Sequence, residues 1–412
     1  MKNNSPEIRF SKDLSSWKTS KLEDLVERVK SYSLSRDVET KKDTGYKYIH
    51  YGDIHTNVAN IVTAYSSLPN IKTGNYELLK KGDLVLADAS EDYQGIAKPA
   101  VVYHDTSSKL VAGLHTLAIR PKKIDSLFLY YLIYAPTFRK YGYKTGTGMK
   151  VFGISVSNVL NFEVSFPSLQ EQAKIGQFLK FFDDLISLHQ HELTTLKQTK
   201  QGFLQKLFPK EGEFIPEVRF PGFNENWEKH KLDEILKERK VKKQISEEEP
   251  LLAFAAGQGV IDRKDRKTNN RDFLTKDSTT KKYLLTKFDD IVYNPANVKY
   301  GAIDRNKYGQ GVISPIYVTF ETDEFPAFIE LIVKSENFKQ RALQYEEGTV
   351  TKRQSVKPEN LLSLDIILPN SKDEQIKIGK FFEQLDETIA LKQEEIEALK
   401  HMKKAFLKKL FI

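Results

Sequence analysis

At 412 residues the chain is too long for one hydrophobic core, and the absence of cysteine excludes disulfides, thiolate nucleophiles and Cys-ligated zinc. The formal charge of +8, from 64 basic and 56 acidic residues, favours a polyanionic partner, although an excess of this size is also ordinary solubilising charge. No apolar signal core follows the start, MKNNSPEIRF, and no apolar stretch approaches membrane-spanning length, so a soluble, cytoplasmic protein without a membrane role is expected.

In chain order, PEIRF at 6–10 leads to Trp17 and to the run Lys21-Leu22-Glu23-Asp24. Short β-rich runs at 48–51, 83–86 and 101–103 follow, split by Gly, Pro and Asn turns, and one amphipathic helix is expected over 126–141. From 167 to 208 apolar residues recur at spacings of 3 and 4, through Ile175, Leu179, Phe182, Ile186, Leu193, Leu196, Phe203 and Leu207. That pattern is a coiled-coil seam. The linker at 209–216 runs into PEVRF (216–220), and Trp227 and Lys231-Leu232-Asp233-Glu234 come next. Further β-rich runs at 290–293 and 316–320 precede a second expected helix, 325–345. The second seam runs through Ile378, Phe382, Leu385, Ile389, Ile396, Leu399, Phe406 and Leu410.

The borders of this pattern are written twice. Residues 168–208 and 371–411 align without a gap at 20 of 41 identical positions, where average usage gives roughly 2 or 3. PEIRF and PEVRF, the two Trp and the two Lys-Leu-acid-acid runs repeat as well, whereas the segments between diverge almost completely. A chain that keeps its scaffold and varies its inserts uses the inserts to choose between ligands. Faint echoes survive inside them: Lys81-Gly82-Asp83-Leu84-Val85 with Phe288-Asp289-Asp290-Ile291-Val292, and Gly146-Thr147 and Lys150 with Gly348-Thr349 and Lys352.

Each helix, some ~57 Å long, is too thin to be stable alone, so the copies are expected to pair. The seam is polar at His189 and Lys392 and at Lys200 and Lys403, either as a register device or by common descent. The expected fold class is α+β: two tandem α/β domains, 1–166 and 217–369, separated by a long antiparallel two-helix coiled coil (helices 167–208 and 370–412) with a pseudo-two-fold relation.

The order of variable domain, Pro-x-x-x-E-Q-x-K-I-G-x-F, long helix, variable domain and the same helix again resembles the specificity subunit of type I restriction-modification enzymes. The resemblance covers nearly the whole chain. Its pieces are Pro167-Ser168-Leu169-Gln170-Glu171-Gln172, Pro369-Asn370-Ser371-Lys372-Asp373-Glu374-Gln375, Asp290-Ile291-Val292-Tyr293-Asn294-Pro295 and Ser314-Pro315-Ile316-Tyr317-Val318. It implies that the variable segments are target-recognition domains, each reading half of a split double-stranded DNA sequence. It also implies that the helices fix the spacing and dock two modification subunits and, through them, restriction subunits. Catalysis would then lie elsewhere: S-adenosylmethionine and adenine methylation belong to the modification subunits and ATP to the restriction subunits, so no cofactor and no enzymatic activity are expected here. The alternative from another class is a duplicated coiled-coil adaptor for protein or RNA, its charge incidental.

The residues independently lack a catalytic set. Asn294-Pro295-Ala296-Asn297 superficially resembles the Asn-Pro-Pro-aromatic motif of amino-methyltransferases but lacks the second Pro and the aromatic, and it reads as a turn. The Gly-rich stretch 142–150 fails P-loop spacing. Glu238-Arg239-Lys240 with Asp233 is expected on one solvated amphipathic helix, and the 8 His show no metal-ligand spacing. DNA contacts are therefore sought in the variable domains. Tyr46, Lys47, Tyr48, His50 and His55 interleave aromatics, a cation and imidazoles, or else form a strand packed on its own sheet. Arg139, Lys140, Lys144 and Lys150 form a basic helix end suited to phosphates, as do Lys352 and Arg353. Arg263, Lys264, Arg266, Lys267, Asn269, Asn270 and Arg271 make the leading base-reading loop, unless the loop is merely solvated.

Overall fold

The computed structural model describes residues 6–10, 16–148, 150–266, 281–347 and 354–412. They divide into two compact units, Met1–Glu192 with Gln393–Ile412, and Leu193–Lys392, so the division falls inside both long helices.

In the first unit the strands order as Val26–Val29, Thr116–Pro121, Leu84–Ala87, Pro99–Val102 and Ile61–Val62, antiparallel except for the last pair. The Leu84–Ala87 strand is buried at every position, which is why it reads as an unbroken apolar run. A second sheet orders Lys109–Ala112, Tyr46–Ile49, Asn70–Ile71 and Glu39–Thr40. The almost wholly buried helix Ser126–Tyr134 shares a core with Trp17, Ile175 and Leu179. Leu410 and Phe411 close the same core, the Phe411 ring 5.1 Å from that of Phe128.

The second unit repeats this plan with different residues. Leu236–Glu238, Val318–Thr322, Ile291–Tyr293 and Ile303–Arg305 make its main sheet in the equivalent order, and Lys242–Lys243, Tyr283–Thr286 and Gly311–Ile313 a second. Trp227, Phe328, Ile378 and Phe382 correspond to Trp17, Phe128, Ile175 and Leu179, and Leu207 takes the place of Leu410. At the borders, Lys18–Lys21 pairs with Glu163–Phe166, and Glu228–Lys231 with Asp365–Leu368.

The repeated motifs meet one another. Arg9 of PEIRF holds Glu171 through Nε and Nη2, both at 2.8 Å, and Arg219 of PEVRF holds Glu374 at 2.6 and 2.7 Å. The adjacent glutamines work alike: Gln172 donates to Pro167 O and accepts from Asp125 N, while Gln375 donates to Pro369 O and accepts from Phe325 N. The inner echo is structural too. Asp83 and Asp290 each accept from a backbone N–H three residues earlier at 2.8 Å, after a positive-φ residue, Gly82 or Asp289. Each is gripped by an arginine from a different place, Arg120 within the strand Thr116–Pro121 or Arg239 just past the strand Leu236–Glu238.

The long helices span Leu169–Lys206 and Lys372–Leu410 and run antiparallel within each unit. In the first unit Phe178 meets Phe406 edge-on at 4.9 Å and Asp183 accepts from both Lys403 and the Tyr131 hydroxyl. In the second, Phe203 meets Phe381 at 5.1 Å and Lys200 pairs with Asp386. Of the seam residues, Ile175, Phe182, Ile378 and Ile389 are buried, and Ile186, Leu196, Phe203, Leu385, Leu399 and Phe406 are half-buried. Lys200 and Lys403 are therefore held across the seam, and His189 lies 3.2 Å from Glu395.

Three expectations are corrected. The helix expected at 126–141 is two, Ser126–Tyr134 and Pro136–Thr145, because the residue before Pro136 is pushed to extended backbone (Ala135 φ −67, ψ 152). The second expected helix likewise breaks into Pro326–Val333 and Glu336–Leu343, with the Ser335 side chain capping the latter. Asp233 and Glu238 do not share a helix: Leu232–Ile235 is one turn, and Glu238 ends a strand paired with Val318–Thr322.

Candidate nucleic-acid interface

The stretch Tyr46–His55 folds into a strand followed by the short helix Tyr51–His55. Tyr48 is 0% exposed and its hydroxyl donates to Glu39 at 2.8 Å, so its ring lies in the core and is corrected from base stacker to packing residue. His50 is buried as the helix N-cap: its Nδ1 accepts from Gly52 N at 3.1 Å. Burial, with Arg36 nearby, lowers its pKa. His55 Nε2 donates to Ala89 O at 2.8 Å. Arg36 ties this web together, donating to Glu39 and Asp53. Tyr46 and Lys47 remain half-exposed, and Lys109 Nζ donates to the Tyr46 hydroxyl at 3.2 Å.

The basic helix end separates into two kinds of cation. Arg139 donates to Ile133 O, Gln94 O and Ile96 O, and burial lowers its pKa to about 10. It is thus corrected from phosphate contact to clamp, because Nε and Nη1 are taken up by carbonyls and Nη2 is buried away from solvent. Lys140, Lys144 and Lys150 are exposed, with no ion-pair partner among the described residues. The turn Tyr93–Gly95 that Arg139 clamps presents a half-exposed tyrosine beside Tyr143 (5.9 Å) and Phe152 (3.9 Å). Residue-by-residue reading missed Tyr93, because a lone Tyr in a loop carries no periodic signal.

In the second unit Arg263 and Lys264 sit in the turn Arg263–Asp265, where Lys264 N donates to the preceding Asp262 at 2.8 Å. Arg266 follows. Lys267, Asn269, Asn270, Arg271, Lys352 and Arg353 lie outside the described residues. The hairpin Leu252–Ala255 with Gly259–Asp262 and the turn Pro295–Tyr300 border a recess of about 460 Å³. Gln258, Arg266, Asn294, Asn297, Tyr300 and Tyr317 are among its lining residues. The sequence Asn294-Pro295-Ala296-Asn297 is a turn, Asn294 accepting from Ala296 N at 3.1 Å. Among the described residues no group of three or more His, Asp or Glu is placed to hold a metal ion, and no helix is long and apolar enough to cross a membrane.

The two α+β units share a scaffold and differ in their exposed turns. The sequence model of the family described as "Type I restriction modification DNA specificity domain" matches residues 15–198. A putative type I restriction enzyme specificity subunit, MjaX, of Methanocaldococcus jannaschii is 22% identical over 406 residues, which are 95% of this chain and 92% of the relative. The MjaVIII specificity subunit of the same organism is 28% identical over 131 residues, 32% of this chain and 31% of that one. The crystal structure of the S subunit of a type I restriction-modification system from M. genitalium shares the fold, with a TM-score of 0.62 at 15% identity over 99% of both chains. Residues 15–198 thus match the type I restriction-modification DNA specificity domain, and similarity to a type I specificity subunit extends over 95% of the chain.

Proposed function

We propose that this chain reads a bipartite double-stranded DNA site in a type I restriction-modification complex in the cytoplasm. Residues 1–166 form the first target-recognition domain and 217–369 the second. The helices 167–208 and 370–412, with the linker 209–216, set the gap between the half-sites and dock two modification subunits, which in turn carry the restriction subunits. One observation carries the reading. The scaffold contacts recur in both units, Arg9 on Glu171 with Arg219 on Glu374 and Asp183 on Lys403 with Asp386 on Lys200, whereas the exposed turns share almost nothing. Repeated scaffold contacts favour a pseudo-two-fold assembly with two equivalent docking faces. The test is the mass of the purified complex together with an adenine-methylation map of a genome in which only this chain is exchanged. Two modification subunits per copy and a changed split site are expected; a one-to-one limit overturns the two-face reading, and an unchanged map overturns DNA reading.

A further inference from the structure

We infer that the recess of the second unit, between the 252–262 hairpin and the turn Pro295–Tyr300, receives base edges of the second DNA half-site. Asn297 and Arg266 read base identity there and Tyr300 supplies a flat apolar face against the adjoining sugars. The inference rests on the DNA-reading function proposed above and deepens it.

The chemistry of the walls points to a base. Asn297, Gln258 and Arg266 line the recess, and their side chains have no hydrogen-bond or ion-pair partner among the described residues. A carboxamide offers the paired donor and acceptor that match the major-groove edge of adenine, and a guanidinium matches guanine. Tyr300 is 67% exposed, with the Lys299 ammonium 5.5 Å from its ring centroid. That ammonium also lies 3.8 Å from Glu346, so what the turn offers the DNA here is the flat apolar face of Tyr300, against the sugars of the duplex. The volume, about 460 Å³, is enough for a small planar group and its water.

The turn is built to hold these groups still. Asn294 caps it, Gly301 ends it at φ 72 with its N–H on Val298 O at 2.8 Å, and Asn297 alone leaves helical backbone at φ −129, ψ 19. A rigid turn loses little entropy when its side chains engage a ligand.

The first unit supplies an independent parallel. Its turn Tyr93–Gly95 comes after Leu84–Ala87, the counterpart of Ile291–Tyr293, and opens on a Tyr two residues before its closing Gly, where the other turn ends on a Tyr followed by Gly301. Tyr93 is 40% exposed, Gln94 is beside it, and Asp92 accepts from Gly95 N at 2.7 Å. Surfaces that otherwise diverge thus place a capped turn with an exposed tyrosine at the same point of the fold.

The test uses the complex assembled with its modification subunits and a panel of duplexes changed one base pair at a time across both half-sites. Asn297→Ala and Arg266→Ala should each lower discrimination about tenfold at one position of the second half-site, leaving the first half-site profile intact. Tyr300→Ala should weaken cognate binding about tenfold without changing the preferred bases. If the unaltered complex discriminates and the variants keep its full profile, the recess assignment is overturned while DNA reading stands. If the unaltered complex does not discriminate at all, both fall. Should a variant fail to assemble, photocrosslinking of the unaltered complex to duplexes carrying 5-iodouracil in the second half-site decides: an adduct on Tyr300 supports the inference, and adducts only outside residues 252–317 overturn it.

Discussion

Arg139 donates to three backbone carbonyls, two of them flanking the end of the turn that carries Tyr93. Arg139→Ala leaves those acceptors unpaired and should cost about 1–3 kcal/mol in urea unfolding while leaving the salt slope of DNA binding unchanged. Lys144→Ala and Lys150→Ala should do the reverse: stability holds, and binding weakens evenly across sequences, with the salt slope reduced by about one per substitution. Equal salt slopes for all three variants would reject the division into clamp and phosphate contacts. Glu330 offers a pH test. Burial pushes its pKa up, but Lys307 and Lys334 outweigh burial and hold it at about 2. A carboxylate with a depressed folded pKa stabilises above its unfolded value and loses that contribution as pH falls toward the folded one. Stability should therefore decline from about pH 4.5 to about pH 2, and Glu330→Gln should flatten that part of the urea-midpoint profile.

Between elements, two glycines set how closely each long helix approaches its domain. A Cβ on Gly176 would lie 2.7 Å from Leu127 Cβ and 3.0 Å from Phe128 N, and one on Gly379 would lie 2.5 Å from the Phe325 ring and 3.2 Å from Phe328 N. Gly176→Ala must shift a helix rather than a side-chain tip and should destabilise by about 1–3 kcal/mol. Gly202→Ala, with nothing within 4 Å, should be neutral or slightly stabilising because alanine favours helix. Thermal melts of the two variants check the contrast. Leu196→Asp or Leu399→Asp places an unpaired charge in the seam and should disrupt helix pairing. Circular dichroism that keeps the melting profile of the parent would show that the seam contributes little.

At the scale of the molecule, the proposed role of the antiparallel helices in setting the gap makes a geometric prediction. Four residues inserted into each long helix add about 6 Å and nearly a whole turn, so the seam keeps its face. The gap between half-sites should lengthen by about two base pairs, at ~3.4 Å each, with neither half-site altered. Methylation mapping checks this; altered half-sites with an unchanged gap would reject that role.

The sequence by itself determined what repeats. Seams of 3 and 4 spacing and duplicated border motifs are local and periodic, so the two long helices, their antiparallel pairing and the resemblance to the specificity subunits were legible before any coordinates. Only the tertiary structure decided what each polar residue does. Arg9, Glu171 and Gln172 are recognisable as a repeated motif, yet that Arg9 grips Glu171 depends on groups 162 residues apart meeting in space. Tyr48, His50 and Arg139 looked like ligand contacts because side-chain type is visible in sequence and burial is not. Asn297, read as part of an ordinary turn, borders a recess because a hairpin some forty residues earlier folds beside it. Periodicity is written along one dimension, whereas a binding surface is assembled from distant segments whose proximity depends on how the whole core packs.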